Sequence, residues 1–117
     1  MKNKAFHHRL GFAIAGIAHA IRSESSFRLQ TLAACAILAV LVYLRPAPAW
    51  WAVIFLTVML VLAAELINTS IELLADHLHP DQHPHIKLVK DCAAGAVLVV
   101  SLGAIGVAVA FVCDVFF

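Results

Sequence analysis

Apolar positions along this chain fall into two kinds of pattern. Phe6, Leu10, Ala13, Ile14, Ile17 and Ile21 recur every three or four residues, and Lys4, His8, Arg9, His19 and Arg22 occupy much of the remainder. That period predicts an amphipathic helix over residues 1–23 that lies on a membrane surface, apolar face down. A plain anchor and a surface helix beside a lipid-processing site share this pattern. Further on the apolar pattern is continuous rather than periodic. Residues 29–44, 46–64 and 93–113 carry no charge at all.

A helix needs about 20 residues to cross the hydrocarbon of a bilayer. The last run meets that length directly. The first meets it by extending back through residues 25–28, with Arg28 snorkelling. The second must continue past Glu65, which places a carboxylate at or near membrane depth. The expectation is an all-α integral membrane protein of one domain, residues 1–117, with transmembrane helices at 25–44, 49–76 and 86–113 and the surface helix before them.

Arg45-Pro46-Ala47-Pro48 reads as a tight turn between the first two spans, because proline cannot continue a helix. Trp50 and Trp51 follow it and suit an interfacial belt. Lys2, Lys4, Arg9, Arg22, Arg28, Lys87 and Lys90 sort to one side of the membrane, and only Arg45 to the other. This predicts that the N-terminus and the second loop are cytoplasmic. Polar residues interrupt the stretch after the basic start and no A-x-A site closes it, so no cleaved secretory signal is expected.

Composition strengthens the membrane reading. Hydrophobic residues make up 63% of the 117 residues and charged residues 13%, with a mean hydropathy of +0.96. A chain this small has too few charges to cover a water-exposed surface, which argues against a soluble enzyme or a disordered tail. A net charge of +1 gives no electrostatic case for nucleic acid. Cys35, Cys92 and Cys113 lie in or beside apolar runs without CxxC spacing. They are expected to be small buried residues rather than a disulfide or metal framework.

The polar residues that remain carry the functional argument. Six of the seven acids (Glu24, Glu65, Glu72, Asp76, Asp81 and Asp91) fall on the predicted cytoplasmic side. At about 100° per residue, Glu65, Asn68, Glu72 and Asp76 share an arc of roughly 80° on one helix face. Like charges at that spacing repel, and an acid at mid-membrane costs about 2.5–3.5 kcal/mol. A divalent cation, a lysine or protonation must compensate. Asp76 fits a solvated helix end, but Glu65 follows fifteen uncharged residues from Trp50 to Ala64, and intramembrane acids mark functional sites.

Lys90 and Asp91 open the last span, followed by Ala93-Ala94-Gly95-Ala96, whose small side chains let another helix approach closely. A lysine, several carboxylates and an asparagine at one depth suit a magnesium–phosphate complex: hard oxygen ligands for the ion, a point charge for phosphate, and a further carboxylate as base. No phosphate-loop or protein-kinase motif is present. Between residues 77 and 85 stand four histidines, which together with Pro80 and Pro84 predict an extended, exposed loop. A zinc site there would lack any common ligand spacing.

These residues in this order resemble the prokaryotic diacylglycerol kinase family, which includes undecaprenol kinases. The motifs are Glu65-x-x-Asn68-Thr69-x-x-Glu72-x-x-x-Asp76, then Lys90-Asp91-x-Ala93-Ala94-Gly95-Ala96-Val97, with Arg22-Ser23-Glu24-Ser25-Ser26-Phe27-Arg28 upstream. The resemblance covers nearly the whole chain. It implies a homotrimer in the bacterial inner membrane with cytoplasmic active sites shared between subunits. It further implies transfer of phosphate from ATP, with Mg²⁺, to a lipid hydroxyl such as that of diacylglycerol. Glu65 matches the base and lies against the lipid substrate with Ala94. Glu24 and Glu72 match the magnesium ligands, and Asn68, Asp76, Asp81, Gln82, His83, Lys90 and Asp91 the ATP side. Three positions depart from the family: Ala5 where an arginine is common, Phe12 where some members have tyrosine, and Gln30 where an acid is found. His-Pro-x-x-Lys before Lys90, with the Ala-Ala-Gly-Ala run, looks more like the undecaprenol-kinase branch. A proton- or ion-conducting subunit built on Glu65 remains the alternative of another class.

Overall fold

The computed structural model describes residues 2–117. Four helices account for most of them: α1 (Phe6–Ser23), α2 (Ser25–Leu44), α3 (Pro48–Leu78) and α4 (Pro84–Phe116). Among the described residues there is no strand. α2, α3 and α4 are each long and apolar enough to cross a membrane. At 1.5 Å per residue α2 spans about 30 Å, one hydrocarbon thickness, whereas α3 and α4 run to roughly 46 and 50 Å and must project beyond it.

Helix ends differ from the sequence expectation where proline is involved. α3 begins at Pro48 rather than residue 49, and α4 at Pro84 rather than 86. Proline suits the first helical position, where its missing N–H is not needed and its φ is already helical. Pro84 therefore starts α4 instead of prolonging an extended loop, and the His83 side chain caps it by accepting from the His85 N–H at 3.1 Å. α4 continues to Phe116, past the expected 113. α1 starts at Phe6 because residues 2–5 form a turn, and the expectation for Met1 lies outside the described residues. Arg45 ends α2 in the left-handed region (φ 49°), its N–H bonded to the Leu41 carbonyl. A residue before proline is pushed out of the right-handed helical region.

α3 and α4 form an antiparallel pair. α2 packs on α3, and α1 packs on α2 and α3 through Ala20, which is 1% exposed. At the Arg45 end, Leu41, Ile54 and Phe111 make a small core against which Trp50 and Trp51 pack. The Trp50 ring meets Phe111 edge-on at 5.3 Å, and its Nε1 donates to Asp114 Oδ2 at 2.8 Å. Trp50 is thus fastened within the protein as well as placed near a span terminus.

Among the described residues the backbones of α2 and α4 do not approach closely, and they meet only through side chains such as Leu41 and Phe111 at the Arg45 end. The open space along α3 is an apolar groove of about 370 Å³, with walls that include Ile37, Leu41, Val61 and Phe111 and with Gln30 among its few polar groups. Most large apolar side chains of the spans face outward, Leu98, Val99 and Leu102 among them. Outward apolar surface on this scale is what a bilayer, rather than water, requires. The apolar stripe of α1, from Phe6 to Ile21, is likewise exposed. The three cysteines are exposed as well, a correction to the expectation of burial: a helix with lipid or another protein around it has no need to turn such residues inward.

Candidate active site

The site is assembled at the end of the molecule opposite Arg45. Glu65 lies seventeen residues into α3, about 26 Å along its axis from Pro48, so a 30 Å hydrocarbon layer that began at Pro48 would just include it. Glu72 falls just beyond it. Glu65 is 7% exposed, as is Thr69 one turn on. The face carrying Glu65, Asn68 and Glu72 points inward, while Asp76 emerges at the exposed helix end.

Across from this face, the Gln30 side chain of α2 lies near the Glu65 carboxylate, and the carboxylates of Glu24 and Glu72 stand close enough to act on it electrostatically. Glu24 is the single residue between α1 and α2, with extended backbone (φ −112°, ψ 109°). One protomer therefore brings three of the predicted acids together. Gln30 was legible only as a departure from a family pattern. Its amide, placed one residue into an uncharged, largely apolar run, is the available signal.

Asn68 Oδ1 is buried without a hydrogen-bond partner. An unsatisfied buried acceptor costs about 1–3 kcal/mol, so this atom is suited to a ligand that supplies a donor. Magnesium bound with nucleotide takes one or two protein carboxylates and fills its octahedron with phosphate and water. Glu24 and Glu72, flanking Glu65, fit that demand. Among the described residues no three His, Cys, Asp or Glu side chains converge on a point that could hold a metal, and an open two-carboxylate site needs no such cage.

Beside the acids is a second cavity of about 540 Å³ at the α3–α4 turn, where Asp76, Asp81, Gln82, His83, Lys87 and Lys90 meet. Five of these are the nucleotide-side residues that the family resemblance implies, and Lys87 is an addition to them. Lys90 Nζ pairs with Asp76 Oδ1 across the two helices. Asp91 does not line the cavity and instead pairs with Lys87 at 2.7 Å, one turn back on α4. Ala94 is exposed farther along α4. The His79, His83 and His85 rings meet one another at 5.2 and 5.8 Å, and His79 Nδ1 lies 2.9 Å from the Asp81 carbonyl oxygen.

Fold and site together define a helical membrane protein with carboxylates at the hydrocarbon edge and a mixed-charge cleft beside them. The profile of the family described as prokaryotic diacylglycerol kinase matches residues 11–112. The chain belongs to this family of membrane lipid kinases. A diacylglycerol kinase of Synechocystis is 35% identical over 95 residues, which are 80% of this chain and 54% of that protein. The undecaprenol kinase of Bacillus subtilis is 38% identical over 84 residues, 72% of this chain and 68% of that one. A diacylglycerol kinase of Pseudomonas aeruginosa is 30% identical over 86 residues, 74% and 70% of the two chains. This chain thus spans about half the length of the Synechocystis relative.

Proposed function

We propose that this protein transfers the γ-phosphate of ATP to the primary hydroxyl of a membrane lipid alcohol, converting diacylglycerol to phosphatidic acid. The observation that carries the reading is the buried Glu65 carboxylate at the hydrocarbon edge, with Glu24 and Glu72 beside it. The lipid hydroxyl oxygen bonds to the γ-phosphorus, the bond from that phosphorus to the β-phosphate oxygen breaks, and ADP leaves. The hydroxyl proton passes to Glu65. Burial among apolar side chains keeps water from competing with the lipid for this base. Glu24 and Glu72 would hold Mg²⁺, which when bound neutralises phosphate charge. Asn68 Nδ2 and Lys90 Nζ donate to the polyphosphate, with Asp91 behind them on α4, while Asn68 Oδ1 accepts from water carried in with it; Asp76, Asp81, Gln82 and His83 form the nucleotide side. Ala94 belongs to the lipid side.

The same groups serve undecaprenol, also a primary alcohol on a long apolar chain. The similarity to an undecaprenol kinase over 68% of that protein favours this second reading. In the proposed setting α1 lies on the cytoplasmic leaflet of the inner membrane, its exposed stripe in the lipid, and the active protein is a homotrimer. The outward apolar faces of α2–α4 and the open groove between α2 and α4 support assembly.

The test is phosphate transfer from labelled MgATP in mixed micelles that offer diacylglycerol and undecaprenol in parallel. Label on one lipid assigns the substrate, and label on both means a permissive headgroup site. No label on either, from folded protein, overturns the kinase reading in favour of an ion-conducting role for Glu65.

A further inference from the structure

We propose that Arg28 is a positioning residue: it clamps the α1–α2 junction and thereby fixes the carboxylate of Glu24. The inference deepens the reading above, since it rests on Glu24 holding magnesium.

No proline or glycine separates α1 from α2. The segment Ala20-Ile21-Arg22-Ser23-Glu24-Ser25-Ser26-Phe27-Arg28 contains nothing that forbids one continuous helix. In a continuous helix the carbonyls of Ile21 and Arg22 would accept from the N–H groups of residues 25 and 26. Here they accept from Arg28 instead, whose Nη1 donates to Ile21 O at 3.0 Å and to Arg22 O at 2.9 Å. One guanidinium nitrogen thus replaces two backbone donors that the break removes. Ser23 Oγ adds a bond to His19 O at 2.8 Å.

The break is confined to Glu24. Its N–H still donates to Ala20 O at 2.9 Å, and its carbonyl accepts from Arg28 N at 3.1 Å. Only its own φ and ψ leave the helical region. The residue held out of helical geometry is therefore the candidate magnesium ligand, and the side chain that holds it sits one turn farther on. The two ion pairs among the described residues are Lys87–Asp91 and Lys90–Asp76. Arg28 therefore binds backbone rather than neutralising Glu24, whose charge stays available to a cation. The fixed geometry of guanidinium suits two adjacent carbonyls better than the flexible ammonium of lysine. The sequence expectation that Arg28 merely snorkels is replaced by this helix-capping role.

The experiment compares Arg28→Met, Arg28→Lys and Glu24→Gln in the full chain in bilayers. Two readouts are taken: Mn²⁺ binding by electron paramagnetic resonance with a non-hydrolysable ATP analogue, and lipid-kinase kinetics against Mg²⁺. Arg28→Met is expected to weaken metal affinity by about 10–100-fold, as loss of a ligand-orienting group does. The KM for lipid stays unchanged and kcat recovers at high Mg²⁺. Arg28→Lys recovers part of the affinity, and guards against a Met variant that fails to fold. Unchanged Mn²⁺ affinity in both Arg28 variants, with Glu24→Gln impaired, overturns the clamp alone. Normal Mn²⁺ affinity in Glu24→Gln overturns the magnesium assignment beneath it.

Discussion

Lys90 Nζ stands 2.5 Å from Asp76 Oδ1, so the second turn of α4 is tied to the end of α3 that carries Glu65 and Glu72. The two side chains are 35% and 63% exposed. Ion pairs of that exposure contribute about 0–1 kcal/mol. The pair is therefore weak as a fastening, and its consequence is local: Asp76 keeps Lys90 at the rim of the cavity, where in the proposed reading an arriving phosphate exchanges for the carboxylate.

Lys90→Met is accordingly expected to raise the KM for ATP strongly while unfolding free energy shifts by no more than about 1 kcal/mol. Asp76→Asn, which frees the lysine, changes ATP affinity with a similarly small stability effect. Thermal unfolding in detergent beside ATP titration checks both. A large loss of stability in either variant would make the pair structural instead.

The bond from Trp50 Nε1 to Asp114 lies at the other end of α3, about 22 Å from Glu65 along the helix axis. Trp50→Phe keeps a ring against Phe111 but loses the donor. The expected outcome is a destabilisation of about 0.5–1.5 kcal/mol, the usual net worth of one hydrogen bond, with kinase turnover unchanged. Calorimetry and a transfer assay on the same sample separate the two effects.

What the sequence made legible follows from how each feature is encoded. Three spans could be read because bilayer thickness fixes helix length, and Glu65 stood out because nineteen uncharged residues precede it. The Lys87–Asp91 pair is also open to the sequence, at i and i+4 on one helix. Juxtapositions between helices were hidden. Lys90 with Asp76, Gln30 with Glu65 and Arg28 with the α1 carbonyls depend on how helices are set against one another, which no single helix's periodicity records. The starts of α3 and α4 were displaced because proline was read only as a breaker and not as a first helical residue.

Substitution at the acids separates proton transfer from metal binding. Glu65→Gln is expected to abolish turnover and retain MgATP binding, because an amide accepts no proton yet keeps shape and its place beside Gln30. Glu72→Gln is expected to lose magnesium-dependent nucleotide binding. Calorimetric titration with an ATP analogue, with and without Mg²⁺, reads the difference. Near wild-type turnover in both variants would remove these residues from the site.

Metal removal provides an independent check. In the proposed reading the ion arrives with the nucleotide and takes no part in folding. Chelation should stop transfer and leave the thermal midpoint of the nucleotide-free protein where it was. A fall in that midpoint would reveal a structural metal.

Asn68 offers a prediction in which stability and function move in opposite directions. Its Oδ1 is buried and unpartnered, so the free protein carries the desolvation cost of that oxygen without a compensating bond. Asn68→Leu removes the polar atom at similar volume and should stabilise the free protein by about 1–3 kcal/mol. The same change deletes the group proposed to meet the polyphosphate, so ATP affinity and turnover should fall. An asparagine whose Nδ2 binds phosphate and whose Oδ1 waits for a donor carried in with the nucleotide, such as its water, gives that opposite pair of signs, whereas a merely structural asparagine would lose stability on replacement. Thermal unfolding of the nucleotide-free variant beside its KM for ATP distinguishes the two.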